Sequence, residues 1–151
     1  MKTCALTGHR DLPSAFCKNA LYDELETLIR EGYDRFLCGM AAGFDLAAIE
    51  CLVDLREKYK IALVACVPYR SQARGFSEQE KQRYVRLLEA CDEQYILSGK
   101  YEAGCLLARN RYMVDHAARL IAVFDGQDGG TRRTVEYALR SGLEVVYVVV
   151  E

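Results

Sequence analysis

Thr7-Gly8-His9-Arg10 gathers a hydroxyl, a glycine, an imidazole and a guanidinium within four residues, directly after the short apolar run Thr3–Leu6. That set suits an anion. Glycine lets backbone N–H groups come close, and a guanidinium pairs well with phosphate oxygens. Imidazole is the side chain that suits proton transfer at neutral pH, so His9 adds a candidate general acid or base. The plain alternative is a turn that exposes a histidine and an arginine. A second stretch, Gly39-Met40-Ala41-Ala42-Gly43-Phe44-Asp45, places two glycines before a carboxylate. Asp45 either caps the helix that follows or accepts from ribose hydroxyls, as acidic residues do in dinucleotide folds. A third stretch runs Asp125-Gly126-Gln127-Asp128-Gly129-Gly130-Thr131 and opens a helix, so Gly129, Gly130 and Thr131 would present phosphate-binding N–H groups. Gly-Met-Ala-Ala-Gly is not G-x-G-x-x-G, and no lysine follows it. A dinucleotide fingerprint and a P-loop are therefore unsupported.

These stretches need elements that bring them together. Six β-rich apolar runs stand out: Thr3–Leu6, Arg35–Cys38, Ile61–Val67, Glu93–Leu97, Leu120–Phe124 and Glu144–Val150. Ile61–Val67 and Leu120–Phe124 are nearly continuous apolar runs, the mark of strands buried on both faces of a parallel sheet. Helical spacing lies between the runs, over Ser14–Glu31, Asp45–Lys58, the stretch opened by Ser77-Glu78-Gln79-Glu80, Ala103–His116 and Thr131–Ser141. Ser77 and Glu80 have the spacing of a capping box. Strict alternation of strand and helix predicts an α/β domain with a mostly parallel six-stranded sheet and helices on both faces. Every glycine-rich stretch then follows a strand, so all fall at the carboxyl edge, where open α/β sheets bind ligands. Taken together, the loops favour a phosphate-bearing small molecule. Pro68–Phe76 is the longest irregular stretch and a candidate mobile flap.

Arg109 shares a helix with an apolar face, a setting in which arginine usually covers the core rim with its stem. Glu136 is spaced three or four residues from Arg132, Arg133 and Arg140. That is either a solvent-facing ladder, worth roughly 0.3–0.5 kcal/mol per pair, or a site carboxylate paired with Arg109.

The 151 residues fit one domain spanning 1–151, and 51% hydrophobic content allows one substantial core. A net charge of −2 and a sequence pI near 5.8 argue against a dedicated nucleic-acid or polybasic membrane binder. No apolar stretch reaches the length of a membrane span, and no signal-peptide pattern opens the chain, so a soluble cytoplasmic protein is expected. The seven cysteines form no C-x-x-C pair, and only two histidines accompany them. Buried thiols in a reducing compartment are expected, with no metal site.

Read as a set, T-G-H-R, G-M-A-A-G-F-D, R-N-R-Y-M-V-D and D-G-G-T-R-R-T-V-E-Y-A resemble the SLOG superfamily, and within it the YpsA-like branch, the DUF1273 proteins. The resemblance implies a Rossmann-like three-layer α/β/α fold that binds nucleotides or nucleotide-sugars at the glycine-rich loops. That branch is similar to bacterial proteins proposed to sense such ligands, ADP-ribose among them. The family's LOG phosphoribohydrolases carry P-G-G-x-G-T-x-x-E and a preceding helical arginine. The resemblance puts the glycines on Gly129 and Gly130, the glutamate on Glu136 and the arginine on Arg109. Asp128 replaces the proline, and Arg132-Arg133 replace the second Gly-Thr, a departure from the enzyme pattern. The expected ligand set is Thr7, Gly8, His9, Arg10, Gly39, Gly43, Asp45, Arg109, Asp125, Gly129, Gly130 and Thr131. Arg109 and Glu136 would be catalytic in a nucleotide N-glycosidase, the first alternative. A single-stranded nucleic-acid binder by analogy with DprA is the second, weakened by the acidic pI. Homo-oligomers are common among SLOG relatives, and Tyr84, Tyr95 and Tyr101 mark a candidate apolar surface for one.

Overall fold

Alternate residues of the four central strands enter opposite cores, as the twofold repeat of a strand requires. Cys4, Leu6, Phe36, Cys38, Leu63, Ala65, Ile121 and Val123 enter one core, while Ala5, Leu37, Val64, Cys66, Leu120 and Ala122 enter the other. A computed structural model of the chain describes residues 1–12, 16–123 and 129–148. The strands are β1 (Lys2–Gly8), β2 (Tyr33–Cys38), β3 (Ala62–Val67), β4 (Glu93–Ile96), β5 (Arg119–Val123) and β6 (Glu144–Tyr147). They form one six-stranded sheet in the order β4-β3-β2-β1-β5-β6, and every pairing is parallel. The helices are α1 (Lys18–Arg30), α2 (Phe44–Leu55), α3 (Glu78–Ala90), α4 (Cys105–Asp115) and α5 (Gly130–Arg140). The first three bury the larger core through Leu21, Leu25, Leu28, Ile49, Leu52 and Leu87. The last two cover the other face through Met113, Val114, Val135 and Ala138. The result is the expected Rossmann-like α/β/α sandwich.

The strand order reverses between β1 and β5. The chain winds outward from β1 to β4, and α4 then carries it back across β3 and β1 to β5. Gaps above the carboxyl ends open at such a reversal. β1 reaches further than expected, because Thr7 and Gly8 stay in register with Ala122 and Val123 of β5. The strand pairing thus holds half of the T-G-H-R stretch rigid.

Local signals explain the helix limits. Ser77 accepts the Glu80 N–H at 3.2 Å and caps α3, while the Glu80 carboxylate receives Arg83. The helix expected from Ser14 starts at Lys18, and residues 13–15 lie outside the described part. The expected strand ends at Phe124 and Val149–Val150 also lie outside it. Pro68–Phe76, expected as a mobile flap, contains a short 3₁₀ turn, Gln72–Gly75, and the buried Gln72 side chain donates to Gly39 O at 3.1 Å. The turn is pinned to the end of β2. Tyr84, expected on an exposed apolar surface with Tyr95 and Tyr101, is 5% exposed and stacks edge-on against Phe76. Among the described residues no helix is long and apolar enough to cross a membrane, and no group of histidines, cysteines and carboxylates is placed to hold a metal ion.

Candidate functional site

The reversal between β1 and β5 leaves a crevice of about 370 Å³. The end of β1 supplies Thr7, Gly8, His9 and Arg10, and the β2–α2 loop with the start of α2 supplies Ala41 and Asp45. Helix α4 supplies Leu106, Arg109, Asn110 and Met113, and the start of α5 supplies Gly130 and Thr131. The first turn of α5 adds backbone donors and partial positive charge to this wall.

Three glycines of the expected ligand loops have packing roles. A Cβ on Gly8 would enter the Phe44 ring, so this glycine lets α2 close against β1. A Cβ on Gly39 would sit 2.5 Å from Arg109 Nη1 and 2.6 Å from its Cζ. Gly43 has φ +83°, and its missing Cβ leaves room for the Arg10 carbonyl. Beside it, the Phe44 N–H donates to His9 O at 3.1 Å, which stitches the second loop to the first. Met40, fully buried, also takes a left-handed backbone with φ 60°. A non-glycine residue held there stores strain that its packing must overcome. Gly130, which also lines the crevice, is different: a Cβ there would meet nothing within 4 Å among the described residues.

A buried polar network forms the floor. Arg109 is 5% exposed. Its Nη1 donates to Gly39 O at 2.6 Å and to Cys66 O at 3.3 Å, and its Nε donates to Asn110 Oδ1 at 2.8 Å. It ties α4 to the ends of β2 and β3 and serves as far more than a rim residue. Asp45 is 6% exposed and accepts the Ala41 N–H at 3.1 Å through Oδ2. It holds its own loop in place from the first turn of α2. Burial pushes its pKa up from 3.8 to about 6, against the opposing pull of Arg109, the Ala41 N–H and Arg10.

Thr7, Gly8, His9, Arg10, Asp45, Arg109, Gly130 and Thr131 therefore meet in one crevice, while Gly39, Gly43 and Gly129 are not among its lining residues. Asp125 lies outside the described residues. Glu136 does not pair with Arg109. It is ion-paired to Arg132 at 3.3 Å, 53% exposed in its side chain, and stands with Leu107, Arg111, Arg133 and Arg140 in a separate groove. The helical period explains this: five residues beyond Thr131, a side chain has turned well away from the sheet edge. Asn110 is the polar crevice residue that sequence reasoning passed over, beside the apolar Leu6, Ala41, Leu106 and Met113. Its adjacency to Arg109 was the one available signal.

Fold and site together define a Rossmann-like α/β protein with a polar crevice at the topological switch point. The chain belongs to the YspA SLOG family, whose profile matches residues 6–144. It is 33% identical over 140 residues to the uncharacterized SPbeta prophage-derived protein YoqJ of Bacillus subtilis (strain 168), covering 83% of this chain and 82% of that protein. Among solved structures, DNA processing protein A (DprA) from Streptococcus pneumoniae matches with a TM-score of 0.72 at 18% identity, over 97% of this chain and 50% of the other. DprA from Helicobacter pylori, described with a single-stranded DNA binding mode, matches at 0.68 and 18%, over 97% of this chain and 64% of the other. The chain thus spans between half and two thirds of the DprA chains it matches, and the likeness is one of fold.

Proposed function

We propose that the protein binds a nucleotide or nucleotide-sugar of the ADP-ribose kind in the crevice between β1 and β5, as a sensor or regulatory protein. One observation carries the reading. The crevice places Arg10, His9, Asn110 and the first turn of α5 around a space of about 370 Å³, with a single described carboxylate, Asp45, at its floor. Donors and cations suit phosphates, and the carboxylate suits ribose hydroxyls. The volume suits a small ligand rather than a macromolecular surface.

The N-glycosidase alternative is less favoured, because Glu136 is not among the crevice-lining residues and stands in a separate groove. The test is mass spectrometry of small molecules released on denaturing the purified protein, followed by thermal shift with ADP-ribose and simple nucleotides. A ligand specific for the folded state raises the melting temperature with concentration. An intact, stabilising ligand supports the sensor. Release of free base or ribose phosphate overturns it in favour of a hydrolase, and a salt-sensitive oligonucleotide shift overturns it in favour of nucleic acid. Self-association belongs with this reading. Tyr95 and Ile96 on the edge strand β4, with Leu97 and Tyr101 beyond it, are exposed, and light scattering coupled to gel filtration reads whether copies join there.

A further inference from the structure

Asn110 is held from below, and this decides which of its two polar ends is left for the crevice. Arg109 Nε donates to Asn110 Oδ1 at 2.8 Å. A guanidinium carries donors only, so the atom facing it has to be the amide oxygen. The opposite rotamer would set an –NH₂ against an N–H. Arg109 is itself fixed, since Nη1 is committed to Gly39 O and Cys66 O and the residue is buried. Gly39 leaves the guanidinium the room to be there. Asn110 lines the crevice, and among the described residues its amide nitrogen has no hydrogen-bond partner. Its oxygen is already engaged by Arg109, and its Nδ2 keeps a pair of N–H donors for the crevice. The side chains beside it on α4, Leu106, Arg109 and Met113, offer the ligand no oxygen acceptor.

We propose that Asn110 is a ligand-contact residue, oriented by Arg109, that donates through Nδ2 to a phosphoryl oxygen bound in the crevice. The inference rests on the nucleotide reading for the identity of the whole ligand. The donor seat itself requires a phosphoryl group, free or esterified. The group that docks against Asn110 must present acceptors, and phosphoryl oxygens are the acceptors that the neighbouring Arg10 also suits.

Asn110→Asp tests this cleanly. The variant is isosteric and keeps an oxygen for Arg109 Nε, while it replaces the donor with a charged acceptor. Titration calorimetry at pH 7.5 is run with inorganic pyrophosphate and, separately, with ADP-ribose. Both probes are expected to bind the wild type, and N110D to weaken both by about tenfold or more, the scale of one lost hydrogen bond to a charged group. The ligand-free melting temperature should stay close to wild type. In the wild type, the Asn110 side-chain amide resonances should shift on addition of pyrophosphate, a response that a merely structural asparagine would not give. Asn110-dependent binding of pyrophosphate without binding of ADP-ribose keeps the donor seat and removes the nucleotide reading. Binding of ADP-ribose that N110D leaves intact keeps the nucleotide reading and overturns the donor seat. Failure of the wild type to bind either probe overturns both.

Discussion

Asp45 sets buried carboxylate against buried guanidinium, and the sign of the outcome is measurable. Desolvation wins, and the pKa rises from 3.8 to about 6. A raised carboxyl pKa means the folded state binds its proton more tightly than the unfolded chain does. The stability this group contributes is complete below pH 4 and is lost as pH rises through about 6. At 1.36 kcal/mol for each tenfold change in the constant, the loss above pH 6 is about 3 kcal/mol. Asp45→Asn removes the titration and keeps an oxygen for the Ala41 N–H, which now donates to Oδ2 at 3.1 Å. Urea unfolding of both proteins from pH 4 to pH 8 reads the difference between them, and groups common to both cancel. The two should be nearly equal at pH 4, and D45N should be more stable by about 3 kcal/mol at pH 8. A difference that stays flat with pH would refute the reasoning. A wild type that gains on the variant as pH rises would show that Arg109 outweighs burial. A ligand reading comes with it. Ionised Asp45 repels an anion, so binding of pyrophosphate to the wild type should weaken as pH rises through 6, and that trend should shrink in D45N.

Gly39→Ala should displace the Arg109 guanidinium, leaving Cys66 O without its arginine donor and Gly39 O with Gln72 alone, a loss of about 2–4 kcal/mol in urea unfolding. Equal stability in the variant would mean that Arg109 has another resting place. Glu136→Ala should leave ligand binding unchanged and alter stability by no more than about 0.5 kcal/mol, since its ion pair is exposed; loss of binding by calorimetry would return Glu136 to the site. Ser77→Ala should cost about 1 kcal/mol through the lost cap of α3, read by thermal or urea unfolding. Glu50 shows the opposite pH sign to Asp45. Hydrogen bonds from Arg83 and Lys18 hold its pKa down at about 2. Its contribution is present above pH 4.5 and lost as pH falls toward 2, so Glu50→Gln should flatten the acid limb of the wild-type stability profile.

The sheet was legible because its signal is periodic and repeated. Six apolar runs alternating with helical spacing leave few topologies, and the glycine-rich stretches then fall on one edge whatever the details. Residue roles within that edge were less legible, for a physical reason. Glycine signals a close approach without naming what approaches. At Gly8 it is Phe44, at Gly39 Arg109, and at Gly43 the backbone of Arg10. Each is a contact between residues far apart in sequence, invisible until the chain folds. Arg109 shows the same limit from the other side. Its charge suggested a clamp on a ligand, but its Nη1 and Nε are engaged by two strand-end carbonyls and a neighbouring amide. The arginine that marks the site in sequence thus also fixes the Oδ1 end of its neighbour Asn110 at the crevice wall. A ligand that drew Nη1 of Arg109 away from Cys66 O would break a buried bond, at a cost of about 1–3 kcal/mol. A ligand that docks on Asn110 Nδ2 incurs no such loss, since the bond from Arg109 Nε goes to Oδ1 and leaves Nδ2 untouched.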